Sequence, residues 1–270
     1  MRRVWLRAAA LALGAIGVLV GLTVYFSTEK VPPCLVSGVK RWERPTDREA
    51  HRYEVVLVRR TACVVDMDRG QKLVGYVKLS EVSWLAPAVR KARAAAEADT
   101  LTVADGEHAV VYTTERGLLG FRVFDPAAFK RYVVRFKGFT WNPRFGPNPP
   151  SHGLSLAPDR PELWVLDAPN STVHVFDVSG LPKERPRPLG DIRLSKPLSG
   201  KENPCSARPC NRIGLLQHSA DGRFVYVGDS GDVIDTQTLE KVANLEALHN
   251  SRVHWEVDFV DGRPVFPARR

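Results

Sequence analysis

The sequence predicts an all-β chain: a β-propeller of four to five blades behind an N-terminal transmembrane helix. Three observations predict it. A strand–turn–strand pattern recurs along the chain, its second strand closing on an aspartate at 66, 125, 177 and 235. The segments between turns are short, aromatic and β-branched, as strands are. Residues 8–26, "AAALALGAIGVLVGLTVYF", form a run of 19 uncharged residues, close to the ~20 that cross a bilayer as a helix.

The N-terminal run comes first in the chain. Arg2, Arg3 and Arg7 precede it, so the N-terminus is expected to stay cytoplasmic and the rest to lie outside. The run ends in Val24, Tyr25 and Phe26, with no small-x-small cleavage site after it. This favours an uncleaved anchor over a removed signal peptide. Cys34 follows "VPP" rather than a lipobox. The expected organisation is an anchor over 1–27 and an extracytoplasmic propeller domain over 28–270, on the periplasmic or cell-surface side.

The first repeat unit is faint: "RYEVVLV", then "ACVVD" ending at Asp66, then "LVGYVKLS". The Ala-rich "APAVRKARAAAEA" (86–98) reads as a helix with Pro87 in its first turn. Three clearer units follow. Asp105-Gly106, Asp159-Arg160 and Asp221-Gly222 open them, and Asp-Gly favours the positive φ of a tight turn. Strands "HAVVYT", "ELWVLD" and "FVYVGD" come next, then strands closing on Asp125, Asp177 and Asp235, then "RYVVRF", "DIRLS" and "KVANLE". The closing aspartates are separated by 59, 52 and 58 residues, longer than the ~40–45 of common propeller blades. The excess lies in connections such as "WNPRFGPNPPSH" (141–152) and "LSGKENPCSARPC" (198–210). The last segment, "VHWEVDFVDGRPVF" (253–266), holds one more strand pair, which would complete the first unit and close a ring. A small sheet cannot bury both faces alone, whereas several stacked radially can.

"ADGRFVYVGDSGDVIDTQT" and "APDRPELWVLDAPNSTVHVFDVS" resemble the YVTN-repeat, lactonase-like β-propeller family. The pattern fits residues 219–242 and 156–180 well, 102–129 moderately and 53–80 poorly. The resemblance implies a propeller and admits a lactonase-like hydrolase, but family members have seven blades. About 240 residues follow the anchor, and seven blades of ~40 residues would need more. An open, incomplete ring that needs a partner is the alternative to a compact one.

The formal charge is +9, of which the three N-terminal arginines supply 3 and residues 27–270 the remaining +6. The basic residues are scattered with no aromatic-basic ladder, so no nucleic-acid partner is expected of an exported domain. The expected partners are the membrane, through the N-terminal helix, and a protein or small-molecule ligand on a propeller face.

Four cysteines in an oxidising compartment suggest disulfides. The short "CSARPC" loop pairs Cys205 with Cys210, and Cys34 with Cys63 follows by elimination. Metal spacing is absent, no CxxCH haem motif occurs, and no cofactor is expected. Calcium is also set aside at Asp66, Asp68 and Gly70, because Val77 stands where the loop needs an acid. Ser155 in "GLSLA" lacks the second glycine of a nucleophile elbow. No catalytic residue is assigned.

The expected ligand patch is Trp141, Asn148, Ser151 and His152, in and just after the proline-rich loop that enters an innermost strand. On a strand, His254, Glu256 and Asp258 would share one polar face. The expected function is a binding or interaction module. A lactonase-like hydrolase, or a redox accessory propeller with a non-covalent cofactor, is the alternative.

Overall fold

Each opening turn lies between the first and second strands of a four-stranded sheet. A computed structural model describes residues 34, 38–97, 100–138, 149–195, 198, 214–249 and 251–267. The N-terminal run, Trp141, Asn148 and the Cys205–Cys210 pairing lie outside the described residues. No helix among the described residues is long and apolar enough to cross a membrane.

The described residues form four antiparallel sheets. The first contains β1 (His51–Val58), β2 (Thr61–Asp66) and β3 (Lys72–Lys78). The second is β4 (Thr102–Asp105), β5 (Val110–Thr113), β6 (Gly120–Asp125) and β7 (Lys130–Arg135). The third is β8 (Leu154–Leu156), β9 (Glu162–Asp167), β10 (Thr172–Asp177) and β11 (Arg187–Arg193). The fourth is β12 (Leu216–His218), β13 (Phe224–Val227), β14 (Asp232–Asp235) and β15 (Lys241–Asn244). The C-terminal β16 (His254–Val260) and β17 (Arg263–Val265) return to the first sheet, giving the order β17-β16-β1-β2-β3. The last segment thus completes the first unit, with Glu256 opposite Glu54 and His254 opposite Val56. Among the described residues the repeat yields four sheets, the lower end of the expected four to five.

The closing aspartates have a common physical role. Asp66 accepts the backbone N–H groups of Asp68 and Arg69, Asp125 those of Ala127 and Ala128, and Asp235 those of Gln237 and Thr238. Asp177 accepts that of Ser179. Each caps the turn that follows its strand as an Asx turn does. Three of the outermost strand pairings carry a register shift, at Val64/Val65, Val175/Phe176 and Val233/Ile234. Such bulges increase local twist, which helps a small sheet stack on neighbours.

The sheets stack face on face. Val56, Cys63 and Val65 of the first sheet meet Phe224, Tyr226 and Val233 of the fourth. Val225, Val227 and Ile234 of the fourth meet Trp164, Leu166 and Val173 of the third. Leu163, Val165 and Phe176 of the third meet Tyr112, Phe121 and Val123 of the second. Residues 224–227 are therefore buried on both faces, as the radial reading requires. Helix α1 (Ala86–Glu97) covers the remaining face of the first sheet through Val89 and Ala92. The outward face of the second sheet keeps Thr102 and Ala104 exposed and Val111, Phe124 and Val133 half-buried. A disulfide joins Cys34 to Cys63 on β2, tying the segment before the first sheet to its core.

Candidate functional site

The short first strands β4, β8 and β12 are the edges of their sheets. They converge on one cavity of about 260 Å³, together with Lys91 and Ala95 of α1 and Glu256 of β16. Its walls include Leu101, Val103, Leu154, Leu156 and Leu216. Polar groups interrupt this apolar lining at Ser155, Gln217, His218 and Glu256. Each innermost strand precedes a turn that begins at its end, so the polar residues on β8 and β12 are held where the sheets meet.

Ser155 Oγ lies 2.8 Å from His218 Nδ1 and accepts the His218 backbone N–H at 3.3 Å. The Trp164 ring stands edge-on to the imidazole at 5.5 Å. His218 Nε2 is buried without a hydrogen-bond partner. Burial, with a smaller contribution from the Arg160 charge, pushes the His218 pKa down to about 3, so the ring is neutral near pH 7. Glu256 Oε2 accepts the Ala220 backbone N–H at 2.6 Å, and the Glu256 carboxyl also hydrogen-bonds that of Asp258. Burial first, then the nearby carboxylates of Asp258, Glu54 and Asp221, push the Glu256 pKa up to about 8 against the pull of the Ala220 bond. Gln217 Oε1 is likewise buried without a hydrogen-bond partner.

Behind Glu256, a polar layer fills the space between the first and fourth sheets. Glu54 Oε1 and His254 Nδ1 are 2.6 Å apart, both side chains fully buried. Tyr226 donates its hydroxyl to Gln71 Oε1 at 2.8 Å. Arg52 donates to Asp68 at 2.7 and 2.9 Å and also pairs with Asp221. His254 and Glu256 are both buried on β16, as the shared polar face expected from the sequence, but they have separate partners in Glu54 and Ala220. Among the described residues, no group of three His, Cys, Asp or Glu side chains is placed to hold a metal ion.

Ser151 and His152, expected to line a ligand patch, are both fully buried. Ser151 Oγ accepts the Gly120 N–H at 2.8 Å, and His152 Nδ1 donates to the Gly214 carbonyl at 3.0 Å. Both glycines need positive φ, +129° and +72°. A Cβ on Gly120 would sit 2.0 Å from the Val134 carbonyl oxygen, so the strand entry at 151–152 is docked on backbone that only glycine permits. The two residues precede β8, and the cavity begins at Leu154. Asn170 is also engaged: its Nδ2 donates to Asp167 and to the Lys137 carbonyl.

Gln217 and His218 were not legible as site residues. β12 is only three residues long, too short for alternation to register. The available signal was position: "LQH" ends two residues before the Asp221-Gly222 turn, as "LSL" ends two residues before Asp159-Arg160. Two large polar side chains on an innermost strand mark that strand off from its counterparts.

No family model and no curated protein matches the chain. Solved structures share parts of its arrangement. The β-propeller domain of Cps50 (Swd1) from Myceliophteria thermophila is 16% identical, covering 68% of this chain and 50% of that one, with a TM-score of 0.34. Hydrazine synthase of Kuenenia stuttgartiensis is 14% identical over 78% and 51%, with a TM-score of 0.37. KlAtg21, solved in complex with the coiled coil of AgAtg16, is 13% identical over 67% and 50%, with a TM-score of 0.32. The chain spans about half the length of these structures.

Proposed function

We propose that this chain is a binding module: a four-bladed propeller held to the outer side of a membrane by its N-terminal helix, with its ligand in the central cavity. One observation carries the reading. The innermost strands of three sheets, with Glu256 of the first, border one apolar cavity whose lining carries a few polar residues, Ser155, Gln217, His218 and Glu256. Pockets of this kind, apolar with a few placed polar groups, are how proteins hold small molecules. The anchor rests on the three arginines and the uncharged run after them. The Cys34–Cys63 disulfide fits an oxidising compartment outside the cytoplasm.

Binding is favoured over hydrolysis by the Ser155–His218 pair. A general base works best with a pKa near the operating pH. Here burial pushes the imidazole down to about 3, so it is a poor acceptor for the serine proton.

Native mass spectrometry of the full chain, released from its membrane in detergent, tests the reading. A retained small molecule is expected, and Ala95→Phe should expel it by filling the cavity from α1. A chain that holds nothing, yet hydrolyses lactones at a rate that falls with His218→Ala, overturns it. Protease added to intact spheroplasts should digest residues 28–270. Protection of that domain until the membrane is broken removes the extracytoplasmic placement.

A further inference from the structure

The second sheet breaks a rule that the other three keep. An apolar side chain stands one residue before each closing aspartate: Val65, Phe124, Phe176 and Ile234. Val65 is buried against the fourth sheet, Phe176 against the second and Ile234 against the third. Phe121 and Val123 face the third sheet, so alternation puts Phe124 on the opposite face. There it is only half-buried, and among the described residues no neighbouring sheet covers it. The closing turns show the same contrast. Four residues after Asp235, Leu239 takes a positive φ of 59° and packs on the cluster between the third and fourth sheets, beside Gly190 of β11. Four residues after Asp125, Phe129 takes a φ of 51°, a backbone region that bulky residues rarely enter, and it is 85% exposed. The ring it meets, at 6.4 Å, is Phe124 of its own sheet. The turn position that reaches a neighbouring sheet from the fourth blade reaches open surface from the second.

This face joins apolar groups to basic ones. Val111 pairs with Phe124 across the ladder, and the Arg131 guanidinium lies over the Phe124 ring, 5.3 Å from its centre. Val133 and Arg135 alternate with Tyr132 and Val134, which pack inward, so they share the outward face with Arg131. Residues 110–137 hold six Lys or Arg and two acids, 6 − 2 = +4. Both acids are already engaged: Glu115 pairs with Arg122, and Asp125 caps its turn. Helix α1, the element before β4, adds exposed Arg90, Lys91 and Arg93. An exposed apolar patch rimmed by charge marks an interaction site. A second copy laid face to face would set like charges against each other, which disfavours that pairing.

We propose that the outward face of the second sheet docks an acidic protein partner, which lays an apolar strand or sheet face across Val111, Phe124 and Phe129 and sets carboxylates against Arg131 and Arg135. The partner fills the place that a sheet or α1 fills on the other three blades. Carboxylates suit the arginines because a guanidinium offers a planar fork of donors to a carboxylate's two oxygens. The surface is separate from the ligand cavity, which lies at the β4 edge of the same sheet, so the two readings stand or fall apart.

A photo-crosslinking side chain tests this in the protein's own host. The full chain carries p-benzoylphenylalanine in place of Phe129, and the irradiated cells are analysed for adducts by mass spectrometry. One dominant adduct with another protein is expected, crosslinked in a segment with more Asp and Glu than Lys and Arg. The same probe in place of Leu189, on a sheet covered on both faces and 43% exposed, should not capture that protein. Arg131→Glu with Arg135→Glu should cut the yield about tenfold or more, and an unchanged melting temperature shows that the variant is folded. In lysate, about 0.5 M NaCl should lower the yield without any substitution, because it screens surface charge pairs. No adduct overturns the proposal, as does an adduct confined to this chain, to a second copy or to lipid. Equal capture from Leu189, a crosslinked segment with no acidic excess, or a yield that survives both charge reversal and salt overturns it too.

Discussion

Strand β13 tests the stacking of the sheets directly, because its two faces meet different neighbours. Val227 is fully buried against the third sheet, in the cluster that holds Trp164, Leu166 and Leu216. Tyr226 is fully buried on the opposite face, among Val56, Val65 and Val233, with its hydroxyl on Gln71. Replacing Val227 by Asp loses the burial of a valine side chain, about 1.5–3 kcal/mol. It also buries a carboxyl with no partner, about 1–3 kcal/mol more even when protonated. The total is about 4 kcal/mol, a large part of the roughly 5–15 kcal/mol that stabilises a typical domain. Tyr226→Asp should cost at least as much, because it adds a carboxyl to a layer that already holds Glu54 and Glu256. Val227→Ala is the control, with an expected cost of about 1.5–2 kcal/mol, since it removes apolar atoms without adding a charge. Urea unfolding of the full chain in detergent, followed by tryptophan fluorescence, measures all three, and Trp164 reports from the same cluster as Val227. If either Asp variant unfolds within about 0.5 kcal/mol of the parent, the change is that of a surface site. That face of β13 would then be wet and the face-on-face stack wrong.

Three further predictions follow from the same contacts. The Cys34–Cys63 bridge closes a loop with a sequence separation of 29; removing it by a Cys34→Ser, Cys63→Ser double substitution should lower stability by about 3.5 kcal/mol in the chain-entropy picture, and unchanged urea unfolding would refute it. Burial tends to lower the His174 pKa, but hydrogen bonds to Asp167 and Asp191 outweigh it and raise the pKa; the stabilisation should be full below the unfolded value of about 6.5 and lost as pH rises through the higher folded value, a slope that His174→Gln abolishes in a pH series of melting temperatures. Glu256 acts through the other charge state: with its folded pKa raised to about 8, stability should fall as pH rises from the unfolded pKa of about 4.3 towards 8, and Glu256→Gln should flatten that fall, whereas an unchanged slope would place the titration elsewhere.

The sequence by itself determined the repeat and much of its local chemistry. Asp66, Asp125, Asp177 and Asp235 were legible as strand ends because an aspartate that caps its own turn acts within two or three residues, and sequence records such short-range contacts directly. The helix at Ala86–Glu97 was legible from its alanines and Pro87, for the same reason, and the burial of both faces of "FVYV" was legible from apolar residues at every position. The tertiary structure decided which side chains meet. Ser155 and His218 lie 63 residues apart in the chain and 2.8 Å apart in space, and nothing local to either announces the other. Glu54 and His254 are separated by 200 residues, and they meet because β16 returns to pair with β1. The same return places Glu256 at the cavity. A carboxyl's pKa follows from how much water and how many neighbouring charges surround it, and those are set by sheets packing across the whole length of the chain.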